Sequence, residues 1–363
     1  MSGHDSAASV DEWSDLDEEE AGLRDAFVAS VRELYDAGTP FFTKEMIQLA
    51  QDQVDEIAEG SVSTEKVEHL GFDGKMHSQS LPPSYFFSKI DDGILVPIVG
   101  YKSFEALTIL PPNRVDDNLF VSVRVSGSLR LINKPPDILQ DDARCAFNQY
   151  FDLWQQGKDW ADLKERIRPH LSTLPMTIDK IIGFGLGVLT MEAGCNDDDG
   201  WVKRCSEQHA LMLTLAKMLQ EHTGNSVKCF AQDPAYSNTC KDILGKRDVD
   251  IVHGDTGFLL VDENSIVLSF SPNVPVRQVI ADLARPAMMV CNMISRSTTR
   301  EWRRRGGVNI SPFTTDPVSP RVMAMKEEYI ELPINTVKSL GNSAVYIRNT
   351  KTSKPPQGQS TFS

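Results

Sequence analysis

Three glycines alternate in Gly183-Phe184-Gly185-Leu186-Gly187, directly after the apolar run Ile178 to Ile182. A buried strand that breaks into alternating glycines lets a phosphate or ribose approach the backbone, and the N–H groups opening the next helix can meet its charge. The chemistry this supports is capture of a nucleotide-like molecule. The spacing departs from the dinucleotide fingerprint G-x-G-x-x-G, since Val188 and Thr190 stand where a third glycine is needed. It also departs from the methyltransferase pattern, which has an acid two residues before the first glycine; here that position is Ile181. Asp233, followed by Pro234, ends the second hydrophobic run, where either class places a ribose-binding carboxylate. His253 and Asp255 follow the third run, at the carboxyl edge where open α/β sheets bind ligands. They can serve there as acid and base, or simply pair with loop neighbours. Pro272 and Asn273 close the fourth run. Gly183, Gly185, Gly187, Asp233, Pro234, His253, Asp255, Pro272 and Asn273 form the candidate ligand-binding set. The plain alternative is that the glycines only permit close strand–helix packing.

Other reactive residue types lack a reactive arrangement. Cys205, Ser206 and His209 lie at helical spacing, which is packing geometry and not a triad, so no catalytic residue is assigned. The six cysteines include no C-x-x-C pair, which suits reduced thiols better than a disulfide framework or zinc site. Asp197-Asp198-Asp199 lacks the alternating ligands of a calcium loop, and His69 and His77 have no partners at metal-binding spacing. Arg296, Arg300, Arg303, Arg304 and Arg305 surround Trp302 and could bind phosphate or nucleic acid, but in so acidic a chain a solvated helix end and loop is expected. With a net charge of −14, a general grip on nucleic acid or anionic lipid is not expected. No apolar run has the length of a membrane span, and the acidic N-terminus is unlike a targeting peptide, so a cytoplasmic or nuclear protein is expected.

The elements that must position these residues follow from periodicity. After the glycine turn come a helix (206–221), a strand (227–232), a strand (249–252), a strand (265–270), a helix (276–283) and a strand (287–290). This alternation predicts a doubly wound, Rossmann-like, mainly parallel α/β sheet with an N-terminal α+β extension. A late strand from Glu328 should stop at Pro333, and residues 344–347 can close the sheet. Upstream, residues 1–22 are acidic and expected to be unstructured. Helices follow from Leu23 to Asp36 and after the cap Thr43, and residues 60–92 are weakly patterned. Strands are expected at 94–101 and 104–110, then an alternating strand 119–125 that turns at Gly127 and returns over 129–132. Pro135-Pro136 marks a boundary, followed by helices at 137–156 and from Asp159 to His170. The expected organisation is a tail (1–22), an extension (23–135), the Rossmann-like domain (136–348) and a second tail (349–363).

Four blocks carry a family resemblance: Ile181-Ile182-Gly183-Phe184-Gly185-Leu186-Gly187, Glu207-Gln208-His209-Ala210-Leu211, Asp233-Pro234-Ala235-Tyr236-Ser237 and Ser269-Phe270-Ser271-Pro272-Asn273. In order and spacing they resemble the sensitivity-to-red-light-reduced (SRR-like) domain, over roughly 160–297. The run from Tyr35 to Lys44 looks like the leader of fungal members, which implies a fungal source. Two departures stand out. Relatives usually continue the proline block as Pro-His-Cys, where this chain has Pro272-Asn273-Val274, so any chemistry on that histidine is missing here. The helix block usually reads Gln-Leu where this chain has Gln208-His209. The resemblance implies a regulatory protein acting through protein partners: plant members are tied to light signalling and the clock, others to growth, stress and development. It implies no reaction and no established cofactor. The alternatives are an S-adenosylmethionine-dependent methyltransferase, or a nucleotide sensor using the glycine-turn crevice.

Overall fold

The computed structural model describes residues 16–60, 66–81, 85–90, 93–111, 120–131, 140–190, 200–296, 301–334 and 337–349. The tail before Leu16, Leu119, Pro135-Pro136, Cys195, Asp197-Asp198-Asp199, Arg300 and the tail from Lys351 lie outside them.

Helix α1 (Glu18–Asp36) opens at Glu18 rather than Leu23, within the stretch expected to be unstructured. Asp17 and Glu20 form a capping box, with the Asp17 carboxylate accepting from Glu20 N at 2.8 Å, so the acidic run starts a helix. Thr43 caps α2 (Lys44–Ala58), whose apolar stripe is buried. Strands β1 (Lys66–Leu70) and β2 (Met76–Ser80) form a hairpin with His69 opposite His77. A three-stranded antiparallel sheet follows, of β3 (Lys89–Ile90), β4 (Gly93–Tyr101) and β5 (Val123–Leu131). Two expectations are corrected here. Gly127 is no turn but lies mid-strand opposite Pro97, where a methyl would come within 2.8 Å of Leu95 Cγ. Residues 104–110 are not a strand: α3 (Phe104–Thr108) starts on the Ser103 cap and buries Phe104, Leu107 and Thr108, a helical spacing.

Helices α4 (Gln140–Gln156) and α5 (Lys158–Ile167), with a 3-10 turn over Arg168–Thr173, lead into the main sheet. Its elements are β6 (Lys180–Phe184), α6 (Trp201–Thr223), β7 (Lys228–Gln232), α7 (Asn238–Gly245), β8 (Val249–Ile251), α8 (Thr256–Leu260), β9 (Ser265–Ser269), α9 (Val276–Leu283) and β10 (Met288–Asn292). A two-stranded hairpin, β11 (Arg303–Arg305) and β12 (Val308–Ile310), precedes α10 (Pro320–Lys326), β13 (Tyr329–Ile334) and β14 (Ser343–Arg348). The sheet order is β13-β14-β10-β9-β6-β7-β8. Strands β6 to β10 are mutually parallel and β14 is antiparallel to both neighbours, giving the Rossmann-like α/β fold the alternation predicts. Helix α6 starts at Trp201, a full turn before Ser206. Strand β13 runs through Pro333 to Ile334, because among the described residues it pairs only with β14 and an edge strand tolerates the missing N–H. The arginines at 303–305 lie on a hairpin and not a helix end, since Gly306 (φ +57°) and Gly307 (φ +75°) supply the positive φ of a tight two-residue turn.

Alternation along the strands divides the core between the sheet's two faces. Ile181, Ile266, Leu268, Met288 and Val290 face α4, α6 and α7. Ile182, Phe184, Val267, Met289 and Tyr346 face the other way, onto α9, α10 and the N-terminal extension. With α8 so short, α2 packs beside it and the extension becomes the sheet's second covering layer. Polar staples hold it there. Phe41 N and Phe42 N donate to Asp282 Oδ2 at 2.7 and 3.1 Å, and Arg321 bridges Asp282 (2.9 Å) to the carbonyl of Tyr35 (2.6 Å).

Candidate functional site

The winding reverses at β6, flanked by β7 and β9, so the crevice of a doubly wound sheet falls at the carboxyl end of these strands. Gly185, Gly187, Asp233, Pro234, Pro272 and Asn273 gather there. Gly183 does not, lying inside β6, where a methyl would meet Leu186 Cδ1 at 2.5 Å. Its bareness lets the loop fold back. Gly185 (φ +63°) donates its N–H to the Gln232 carbonyl at 2.9 Å. A methyl on it would stand 3.6 Å from Pro272 Cβ, so the two loops abut across the reversal. Gly187 (φ +80°) lies flat on α6, where a methyl would come within 2.3 Å of Cys205 Sγ. The same position is 3.6 Å from the indole of Trp201, which is 47% exposed at the mouth with the Arg204 guanidinium 5.1 Å from its ring centroid.

Asp233 ties the turn to the next strand. Its Oδ2 accepts from Gly187 N and its Oδ1 from Ala235 N, both at 2.9 Å. Burial pushes its carboxyl up from the ordinary value, and the two N–H groups pull back. Pro234 and Asn273 are exposed and Pro272 is buried. Ser271, a non-glycine at φ +51°, is held in that strained conformation by Asn292, whose Oδ1 accepts from Ser271 N at 2.6 Å. The Thr315 hydroxyl donates to the Pro272 carbonyl. A buried ion pair anchors this covering loop: Arg277 Nε meets Asp316 Oδ2 at 2.7 Å, and its Nη1 donates to the Asn292 carbonyl at 3.1 Å.

His253 and Asp255 form a separate group at the end of edge strand β8, against α2. His253 Nε2 pairs with Asp55 Oδ1 at 2.7 Å. Gln51 Oε1 accepts from Asp255 N (2.9 Å), and its Nε2 donates to Asp55 (2.8 Å). Gln232 Nε2 donates to Asp255 Oδ1 at 3.1 Å. Burial pushes the Asp255 carboxyl up to about 6. The Tyr101 hydroxyl is buried beside it, and burial followed by the Asp255 charge raises its pKa far above the usual phenol range. No sequence signal marks Tyr101 or Asn292. Gln51 is a polar residue buried in the apolar stripe of α2, a pattern that marks the residue but not its partner.

Beneath the glycine turn, His209 is fully buried, its Nδ1 at 2.7 Å from the Cys205 carbonyl and its Nε2 at 2.7 Å from Tyr236 Oη. Burial lowers its pKa to about 4, so the ring is neutral. This contact is sealed in the core and positions α6 against β7. Trp201, Pro234 and Asn273 stay open at the crevice, while Asp233 is engaged by the backbone and the histidine is sealed below. Among the described residues, no group of three or more His, Cys, Asp or Glu could hold a metal ion, and no helix is long and apolar enough to cross a membrane.

A family model described as the SRR1 domain matches residues 163–360. No curated protein matches the chain. Among solved structures, a similar one is the Burkholderia thailandensis 1,6-didemethyltoxoflavin-N1-methyltransferase with bound 1,6-didemethyltoxoflavin and S-adenosylhomocysteine. The identity is 9%, the TM-score 0.24, and the match covers 60% of this chain and 93% of that one. A likeness at that level carries no argument about function.

Proposed function

This chain belongs to the SRR1 domain family, and from that premise we propose that it is an intracellular regulatory protein, cytoplasmic or nuclear, acting through protein partners in light, circadian, developmental or stress signalling. The supporting observation is how the crevice is held. Both oxygens of Asp233 bind the protein's own backbone, and Gly185 and Pro272 close on each other. The groups that a ligand would need already serve the loops, so the scaffold's fixed surface is what it offers to others.

A nucleotide sensor or S-adenosylmethionine-dependent methyltransferase is the second reading. It is favoured by the half-exposed Trp201 indole beside Gly187, a ready stacking face for a base. Ile181, where an acid is usual, speaks against it.

Thermal unfolding with S-adenosylmethionine, S-adenosylhomocysteine, NAD, NADP and ATP separates the two. A ligand at about a hundred times its Kd adds roughly 2.7 kcal/mol, a shift on the order of 5 to 10 °C. No shift with any of these is expected. A shift with the adenosyl compounds that Asp233→Ala loses would overturn the scaffold reading in favour of the crevice.

A further inference from the structure

The β11–β12 hairpin is basic on a chain whose net charge is −14. Its register places Arg303 opposite Ile310 and Arg305 opposite Val308, so these four side chains share one face. Both arginines are exposed, as are Val308 (64%) and Ile310 (45%). Among the described residues no carboxylate pairs with Arg303 or Arg305. The tight Gly306-Gly307 turn and the base fix the hairpin in place: Trp302 Nε1 donates to the Ile109 carbonyl at 2.8 Å, and its ring meets Phe313 edge-on. The result is a face of two cations and two aliphatic side chains, exposed among the described residues.

The chain carries a matching surface elsewhere. At the start of α1, Glu18 and Glu19 are exposed and form no ion pair among the described residues, and Leu23, 59% exposed, follows Glu19 at i+4 on the same helix face. We propose that the partner of the hairpin is a second copy of this chain. The amino-terminal turn of α1 from each copy docks on the other's hairpin, carboxylates to Arg303 and Arg305 and Leu23 to Val308 and Ile310. Reciprocal exchange closes a two-fold dimer and leaves no open end for a filament. Long-range repulsion between two acidic bodies is screened beyond about 8 Å at physiological salt, so the charges in contact decide the outcome. A peptide-like acidic and apolar surface suits this face better than a polyanion, whose phosphates would leave Val308 and Ile310 uncovered.

The test is sedimentation velocity of the full chain over a concentration series at 50 and 500 mM NaCl. The expected result is a dimer at the lower salt that weakens at least several-fold at the higher. Arg303→Glu with Arg305→Glu should be monomeric, and so should Glu18→Lys with Glu19→Lys; Glu20 is kept so that the capping box survives. Mixed together, the two variants should form a heterodimer, because one contact is then charge-swapped and the other is native. Circular dichroism of each variant guards against misfolding. A wild-type monomer at every concentration, or a mixture that stays monomeric while both variants are folded, overturns the proposal. A monomer that changes only on adding a 20-nucleotide RNA would give the hairpin to a polyanion and also overturn it.

Discussion

Replacing Asp255 with Asn should make the protein more stable at neutral pH. The carboxyl is held at about 6 against an ordinary value of 3.8, chiefly by burial between α2 and the end of β8, with Tyr101 and Gln232 opposing the shift. Because the folded value is the higher one, the folded chain holds this proton more tightly than the unfolded chain. Asp255 therefore costs stability when ionised. The cost is absent below the unfolded value, grows as pH rises towards 6, and is complete above it. A shift of this size corresponds to about 3 kcal/mol at most. Asn is nearly isosteric and still accepts from Gln232 through its amide oxygen. At pH 7.5, Asp255→Asn should therefore gain about 1 to 3 kcal/mol in urea unfolding, and a few degrees in Tm. The gain should fade towards pH 4.5. Asp316 is likewise raised to about 6 by burial, but it is present in both proteins and cancels in their difference. A difference that does not change with pH, or a variant less stable at pH 7.5, would refute the assignment of an unfavourable charge to Asp255.

Gly187→Ala must place a methyl 2.3 Å from Cys205 Sγ at φ +80°, and should cost about 2 to 4 kcal/mol of unfolding free energy. Adding Cys205→Ala should recover the steric part and leave about 1 kcal/mol of backbone strain. Asp233→Ala strips acceptors from Gly187 N and Ala235 N and should cost about 1 to 3 kcal/mol, also read by denaturant unfolding. Arg277→Met leaves Asp316 buried without its cation and should cost about 3 to 5 kcal/mol. Its loss should shrink at low pH, where Asp316 takes up a proton, and combining it with Asp316→Asn should recover part of the stability at pH 7.5.

The parallel sheet was legible because β6, β9 and β10 are apolar runs buried on both faces, while β6 stops at Gly185 and β7 at Asp233-Pro234. Helix α9 matches the periodicity from Val276 to Leu283. Two of the misreadings sit where a partner far along the chain helps set the conformation. Gly127 looks like a turn until Leu95 is laid over it, and Phe104 looks like a strand residue until Ser103 caps it and Gln278 Oε1 accepts from its N–H at 2.9 Å. The site divides in the same way. The glycine turn and Asp233 could be placed together from their position after successive strands. The Asp255 group could not, because Tyr101 and Gln51 come from the extension and meet it only through tertiary packing.

That extension ties the family segment of this chain to what lies upstream of it. The matched segment, 163–360, contains the whole main sheet, yet one wall of that sheet rests on Phe41, Phe42, Met46, Phe104 and Val123 from upstream. The portion that carries the family's mark is thus not portable. Released from the first 135 residues, it would present Phe184, Phe258 and their neighbours to water as an adhesive surface. What divides in sequence comparison is joined in one hydrophobic core, so substitutions in the upstream third can destabilise the family segment without altering any residue in it.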